Sequence, residues 1–287
     1  MNILVTGSNG QLGKSIRKES EASADIYFFT DVEELDITDP EAVDKFVKEN
    51  GIDVIVNCAA YTNVDAAENN EAIAEKINGD APGILADAIK KAGGSLIHIS
   101  TDYVFGGAGK NTPLTEEEPA SPSGAYGRTK LKGEKEIEKS GASAVILRTS
   151  WLYSDYGNNF VAKILQLLEN RDTIKVVFDQ CGTPTYATDL AKAIVDIITG
   201  RKIKGNEGVY HFSNEGVCSW YDFALASARL AGLKQKEVLP CHSSEFPSKV
   251  VRPSYSVLDK TKYKDTFGMK VPHWHDSLAS CLSNINK

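Results

Sequence analysis

The chain carries a phenol and an amine four residues apart, in Tyr126-Gly-Arg-Thr-Lys130. On a helix that spacing stacks the two side chains on one face, one turn apart. A phenol ionises near pH 10 and so serves at neutral pH as an acid, and an ammonium beside it lowers that value by stabilising the phenolate. Such a pair suits delivery of a proton to a carbonyl oxygen. A surface tyrosine followed by an ordinary helix lysine has the same letters, so the pair takes its meaning from what surrounds it. Thr101, in Ser100-Thr-Asp-Tyr-Val-Phe105, is a hydroxyl at the carboxyl end of a strand and a candidate second donor to the same oxygen. It equally suits a simple strand-end cap.

These residues need a scaffold, and the N-terminus supplies its first piece. The β-branched run Asn2-Ile-Leu-Val-Thr6 flows into Gly7-Ser-Asn-Gly10-Gln11-Leu12-Gly13 and then a helical segment through Ile16. Glycines there let the backbone turn sharply and approach a pyrophosphate at the positive end of the helix. The spacing is Gly-x-x-Gly-x-x-Gly, one residue longer at the front than the commoner dinucleotide fingerprint. Ile26-Tyr-Phe-Phe-Thr30 reads as the second strand, ending at Asp31, an acid placed to accept hydrogen bonds from an adenine ribose. That favours NAD, although Arg17 and Lys18 would offset repulsion of a 2′-phosphate. Asp36 and Ile37 are candidates to line the adenine pocket, and Asp39 or Thr38 caps a helix opening at Pro40.

Further apolar runs continue the pattern of parallel strands buried on both faces. Asp53-Val-Ile-Val-Asn57 ends in Cys58-Ala59-Ala60-Tyr61-Thr62, where small residues leave room for a flat cofactor. A helix is expected from Glu71 to about Lys91, with Asn78 mid-helix, where an amide is usually solvated. Ser95-Leu-Ile-His-Ile99 makes the strand that delivers Thr101 and Asp102. The segment from Thr112 to Gly124 holds Pro113, Pro119 and Pro122 and reads as a loop. Gly133 lets the helix of Tyr126 pack closely on a neighbour.

Val145 to Ser150 is another strand, with Trp151 at its end, and Asn158-Asn159-Phe160 opens an amphipathic helix. Ile174 to Phe178 and Asp189 to Thr199 are expected to complete the cofactor sheet. From Gly200 the units shorten: a strand Val209-Tyr-His-Phe212, a helix capped at Ser219 with Asp222 three residues on, and a Ser- and Pro-rich loop from Pro240 to Pro253. Arg252 in that loop is the expected diphosphate contact, since a guanidinium fork matches phosphate oxygens. The expected fold class is α/β, a Rossmann-type doubly wound parallel sheet with a small discontinuous α/β substrate-binding lobe. Residues 1-149 and about 171-200 fall to the NAD(P)-binding part, about 150-170 and 201-287 mainly to the lobe.

Composition bounds the alternatives. The 287 residues are 41% hydrophobic and 25% charged, enough for a sizeable core. A net charge of -7 argues against a nucleic-acid partner. Five scattered cysteines with no Cys-x-x-Cys pair suit a reducing compartment and no structural zinc. His242, His273 and His275 share no ligand spacing, so no metal is expected. No run approaches the roughly 20 apolar residues of a membrane span, and a cytoplasmic protein without a membrane partner is expected.

Taken together, Gly7-x-x-Gly10-x-x-Gly13, Ser100 to Phe105 and Tyr126-x-x-x-Lys130 resemble the extended short-chain dehydrogenase/reductase superfamily. Arg148-Thr-Ser-Trp-Leu-Tyr153, Gly157-Asn-Asn-Phe160, Asp179-Gln-Cys-Gly-Thr-Pro184 and Arg252-Pro-Ser-Tyr-Ser-Val-Leu-Asp259 are similar to its dTDP-4-keto-sugar reductases. That resemblance implies reduction of the C4 ketone of dTDP-4-dehydro-L-rhamnose by NADPH or NADH. It implies Thr101, Tyr126 and Lys130 as catalytic residues. The cofactor would lie on Gly7, Gly10, Gln11, Leu12, Gly13, Asp31, Asp36, Ile37, Ala59, Ala60 and Thr62, besides Tyr126 and Lys130. The dTDP-sugar would meet Thr101, Asp102, Trp151, Asn159 and Arg252. A monomer or weak homodimer is expected, because Lys14-Ser15 stands where some relatives have acids that bind magnesium at a dimer contact. A nucleotide-sugar epimerase or dehydratase, or a non-catalytic regulatory relative, would share the fold.

Overall fold

The structure is a computed structural model that describes residues 1–106, 111–246, 250 and 252–285. The expected 240–253 loop therefore lies partly outside the described residues, and within it a strand, Glu237–Cys241, and a short 3-10 turn, Ser243–Glu245, precede Arg252.

Six runs form strands of one parallel sheet: β1 (Asn2–Thr6), β2 (Ile26–Thr30), β3 (Val54–Asn57), β4 (Ser95–Thr101), β5 (Ser143–Thr149) and β6 (Gly208–His211). Among the described residues the order is β6-β5-β4-β3-β1-β2, every neighbouring pair parallel. Sequence order reverses between β1 and β3, which leaves a crevice at their carboxyl ends, where such sheets take ligands. β3 is buried throughout and β4 nearly so, as expected when helices cover both faces.

One face carries helices α1 (Gln11–Glu19) and, far along the chain, Ala187–Thr199; Leu12, Ile16, Leu190 and Ile194 pack there on Ile3, Val5, Val56 and Leu147. The other carries α2 (Pro40–Glu49), α3 (Ala81–Lys91) and α4 (Ala125–Ser140), with Val43, Leu85, Ile89 and Ile137 against Leu4, Ile55, Leu96 and Ile146. Asp39 caps α2, its carboxylate accepting from the N–H groups of Glu41 and Ala42. The expected helix from Glu71 to Lys91 is an α-turn, Glu71–Glu75, a π segment, Lys76–Asp80, and then α3.

Two expectations about the second half are corrected. The run 173–177 does not join the cofactor sheet: it pairs in parallel with Glu237–Cys241 in a separate two-stranded sheet. Its alternating burial, with Ile174 and Val176 in and Thr173 and Lys175 out, marks a strand covered on one side, unlike β3. The sixth sheet position is filled instead by β6, a run assigned from sequence to the lobe. The Ala187–Thr199 helix of the large sheet is α6; around the small sheet pack α5 (Phe160–Asn170) and α7 (Trp220–Leu230), and a last helix, Trp274–Ile285, packs on α7. Ile164, Leu168, Ala224 and Val238 make one small core there; Tyr153, Val161, Phe223 and Leu278 make another. Ser219 caps α7 in the predicted capping box with Asp222.

Candidate active site

The glycine turn comes first. Gly7 adopts φ +62°, and a Cβ on it would lie 2.6 Å from the backbone of Ala59. A Cβ on Gly13 would lie 2.5 Å from the Cα of Ser8. Side chains are thus excluded where β1, α1 and the end of β3 converge. Helix α1 has no side-chain cap at Gly10 and no acid in its first turn, so its leading N–H groups face the crevice with the positive end of the helix. These are the features a pyrophosphate needs, and the residues present fit a dinucleotide.

Asp31 stands at the rim, its carboxylate accepting from the N–H of Asn9 at 3.0 Å and of Val32 at 2.9 Å. The acid expected at the ribose thus also holds the glycine turn in place. Gln11 reaches the other way, its Oε1 accepting from the hydroxyl of Ser154 at 2.9 Å.

Tyr126 and Lys130 sit on the first turns of α4, with both side chains in the crevice. Three contacts fix that helix. The N–H of Ala125 donates to Glu68 Oε1 at 2.6 Å. Gly133 lets the backbone of Asn78 approach so closely that no Cβ fits between them. Asn78, fully buried rather than solvated, accepts from the N–H of Tyr61 at 2.8 Å and donates to its carbonyl at 3.0 Å and to the hydroxyl of Thr129 at 3.3 Å. The π segment thereby ties the end of β3 to the helix of the Tyr-Lys pair.

Lys130 is buried, its Nζ donating to the carbonyl of Ile99 at 2.6 Å and lying 3.2 Å from Nε2 of His98. Burial lowers its pKa to about 8, against the opposing pull of the Glu134 carboxylate. The Thr101 hydroxyl caps the turn after β4, accepting from the N–H of Tyr103 at 3.2 Å, and donates to Asp102 at 3.1 Å. It also acts on the Tyr126 phenol, favouring its ionised form, so the two expected proton-handling hydroxyls are brought together. Burial raises the Tyr126 pKa above the ordinary phenol value, and the Thr101 hydrogen bond only partly opposes it. The expected lowering by a neighbouring ammonium is not what governs this phenol; desolvation is. Asp102 beside it is pushed up to about 6 by burial.

One cavity of about 800 Å³ connects these groups. Gly7, Gly10, Gln11, Leu12, Gly13, Asp31, Ile37, Ala59, Ala60 and Thr62 line one end. Thr101, Asp102, Tyr126 and Lys130 line the middle, Trp151 and Arg252 the other end, and Asn159, joined through Ser154 to Gln11, also lines the cavity. Asp36 is not brought to the cavity: it is exposed and its carboxylate accepts from the N–H and hydroxyl of Thr38, closing a local turn, while Leu35 lines the wall instead. Asn159 reaches the cavity, but its amide is committed to the chain, capping α5 through Ala162 and donating to the carbonyl of Ser154 at 2.8 Å. Among the described residues Arg252 makes a long ion pair, 3.7 Å to Asp65. Arg17 lies over the ring of Phe29 at 4.0 Å, away from the cavity, whereas Lys14 lines it.

Sequence reasoning missed Trp220 and Tyr103. Trp220 opens α7 and stacks on Trp151, with ring centroids 3.6 Å apart and planes 12° from parallel. Trp151 takes an unusual positive φ of 48° to present its ring there. Tyr103 meets Tyr126 edge to face at 5.5 Å. An aromatic directly after a capping serine is a signal for Trp220, yet nothing in the sequence pairs it with Trp151.

A doubly wound parallel sheet with a glycine turn, a strand-end hydroxyl and a Tyr-x-x-x-Lys helix at its carboxyl edge defines a Rossmann-type short-chain dehydrogenase/reductase. The model of the RmlD substrate binding domain family matches residues 1–287, and the chain belongs to that family. It is 36% identical to a dTDP-4-dehydrorhamnose reductase of Burkholderia thailandensis over 99% of both chains. A crystal structure of a dTDP-4-dehydrorhamnose reductase from Clostridium acetobutylicum is 42% identical, with a TM-score of 0.95 and full coverage of both chains. One from Bacillus anthracis, in complex with NADP, is 36% identical over 99% of both, with a TM-score of 0.92.

Proposed function

We propose that this protein is an NAD(P)H-dependent reductase that converts the C4 ketone of dTDP-4-dehydro-β-L-rhamnose to the alcohol of dTDP-β-L-rhamnose. The observation that carries the reading is the meeting of Thr101, Tyr126 and Lys130 midway along a cavity with a phosphate-binding turn at one end and paired indoles at the other. A reduced nicotinamide dinucleotide, held with its pyrophosphate on the glycine turn, would supply the hydride.

The chain's own groups do the rest. Tyr126, kept as a neutral phenol by burial, gives its proton to the oxygen of the reacting carbonyl. Thr101 hydrogen-bonds that oxygen and holds the phenol in line. Lys130, anchored on the Ile99 carbonyl, directs a remaining N–H toward the cofactor ribose. Trp151 and Trp220 wall the deoxysugar, and Arg252, whose ion pair to Asp65 is long at 3.7 Å, is the partner for the diphosphate. Binding energy from the remote nucleotide orients the sugar. The acidic composition supports a protein that takes no nucleic acid, and we place its work in the cytoplasm, as a monomer or weak homodimer. Among the described residues no helix is long and apolar enough to cross a membrane.

The test is consumption of reduced cofactor by the purified protein. Oxidation of NADPH or NADH in one-to-one proportion to added dTDP-4-dehydrorhamnose, and none without it, is expected. An epimerase or dehydratase would regenerate its cofactor, and a net oxidation of zero with product formed would replace the reductase reading.

A further inference from the structure

Behind the Tyr-Lys pair runs a buried hydrogen-bonded chain that the reaction above does not use. The Thr6 hydroxyl donates to Asn57 Oδ1 at 2.8 Å, and the N–H of Ala59 donates to the same oxygen at 3.2 Å. Two donors on Oδ1 fix the orientation of the amide, so Asn57 Nδ2 is the group that faces His98 Nδ1, at 3.1 Å. An NH2 group can only donate there, so Nδ1 must carry a lone pair. A neutral imidazole then has its proton on Nε2, which faces Lys130 Nζ at 3.2 Å.

An ammonium has three donors and no acceptor. Opposite an Nε2–H it would place two donors head to head, among residues Thr6, Asn57, His98 and Lys130 that are all buried. The other arrangement, with the proton on Nδ1, moves the same conflict to Asn57. A protonated imidazole only adds a donor. The parity closes in one way: an uncharged amine accepts from Nε2–H and keeps two N–H bonds, one for the Ile99 carbonyl and one for the cavity. We propose that His98 holds Lys130 as a neutral amine in the cofactor-free protein, so that this lysine is a hydrogen-bond acceptor and not a fixed positive charge.

Other groups around the amine are consistent with this. The titratable groups that face Lys130 are His98 on β4, Glu134 one turn on along α4, and Cys58 after β3, whose thiol burial pushes up to about 12 and so keeps uncharged. Glu134 favours the ammonium, but its carboxylate is already bound by Arg148 at 2.7 and 2.9 Å and by the Ser100 hydroxyl. Burial lowers the pKa of Lys130 and that of His98, both toward the uncharged forms. The significance for reduction rests on the proposed activity, a site charged with its proton before the ketone arrives; the charge state itself does not.

The experiment is nitrogen NMR on the full chain without cofactor, with histidines 15N-labelled. His98 is expected neutral and protonated on Nε2 throughout the neutral range. His211 supplies an internal reference for the opposite tautomer, because its Nδ1 lies 3.1 Å from the Leu114 carbonyl, which accepts only from an N–H. An Nδ1-protonated His98, or an imidazolium, overturns the proposal. In protein with 13C-labelled lysine, the Lys130 side chain, assigned by Lys130→Arg, should be uncharged at about pH 7, well below the ordinary lysine value of 10.5; a side chain still charged at that pH also overturns the proposal. Asn57→Asp gives Nδ1–H an acceptor and frees Nε2 to accept from an ammonium, so the Lys130 midpoint should rise by about one unit or more. An unmoved midpoint in a folded Asn57→Asp protein refutes the relay, and should that variant not fold, the wild-type spectra decide alone.

Discussion

The indoles of Trp151 and Trp220 stack face to face, 3.6 Å between centroids, although 69 residues separate them in the chain. Phe160 leans on the second ring at 4.5 Å. The pair closes the end of the cavity opposite the glycine turn, which makes it a wall for whatever lies beyond Tyr126.

Replacing Trp220 by alanine removes half of that wall and leaves the cofactor end intact. KM for the keto-sugar should rise by roughly 10-fold, about 1.4 kcal/mol, with kcat lowered less and cofactor affinity unchanged. An unchanged KM in steady-state kinetics would move the sugar site elsewhere.

Tyr126→Phe deletes the proton and keeps the ring that meets Tyr103. Turnover should fall by roughly 100-fold or more, while cofactor affinity, read by fluorescence titration, stays near wild type. Near-wild-type turnover would mean that the proton comes from another group.

The glycine turn makes a graded prediction. Gly13→Ala drives a carbon to 2.5 Å from Ser8 backbone and should weaken cofactor binding by roughly 10-fold or more. At Gly10, with φ -73° and its nearest neighbour at 3.2 Å, alanine should cost less. Equal losses in a cofactor titration would show that the fit around Gly13 is not what forms the turn.

Asp102 makes stability depend on pH. Its carboxyl has a pKa of about 6 in the fold against 3.8 ordinarily, so the folded state binds more protons between those values. A raised pKa contributes stability fully present below about pH 4 and lost as pH rises through 6, on the order of 3 kcal/mol in all. Chemical denaturation from pH 4 to 7 should show that decline in the wild type and a flatter profile in Asp102→Asn. Parallel profiles would contradict it.

The fold was legible wherever burial wrote itself into composition. Strands β1, β3 and β4 are apolar runs because helices cover both faces, and the turn at Gly7 to Gly13 announced the first crossover. The run 173–177 was harder: out of context, a short apolar run does not say which sheet it joins, and its partner Glu237–Cys241 lies 64 residues on. At the site, Thr101, Tyr126 and Lys130 were visible through spacing on single elements. Trp220, His98 and the bound state of Asn159 were not, because each depends on a neighbour from a distant segment. Asp36 was misplaced for the converse reason, a local turn through Thr38 that spacing to the glycine loop does not reveal.

β6 follows the α5 and α6 segments yet returns to the large sheet, and α7 then leaves it again. Lobe and sheet are therefore woven, with no single cut that separates them. A new sugar preference cannot be grafted on as one contiguous block from a relative. It has to be written one side chain at a time at the crossing points near 151–160, 220 and 252, where a replacement alters the wall without unthreading the sheet that holds the lysine.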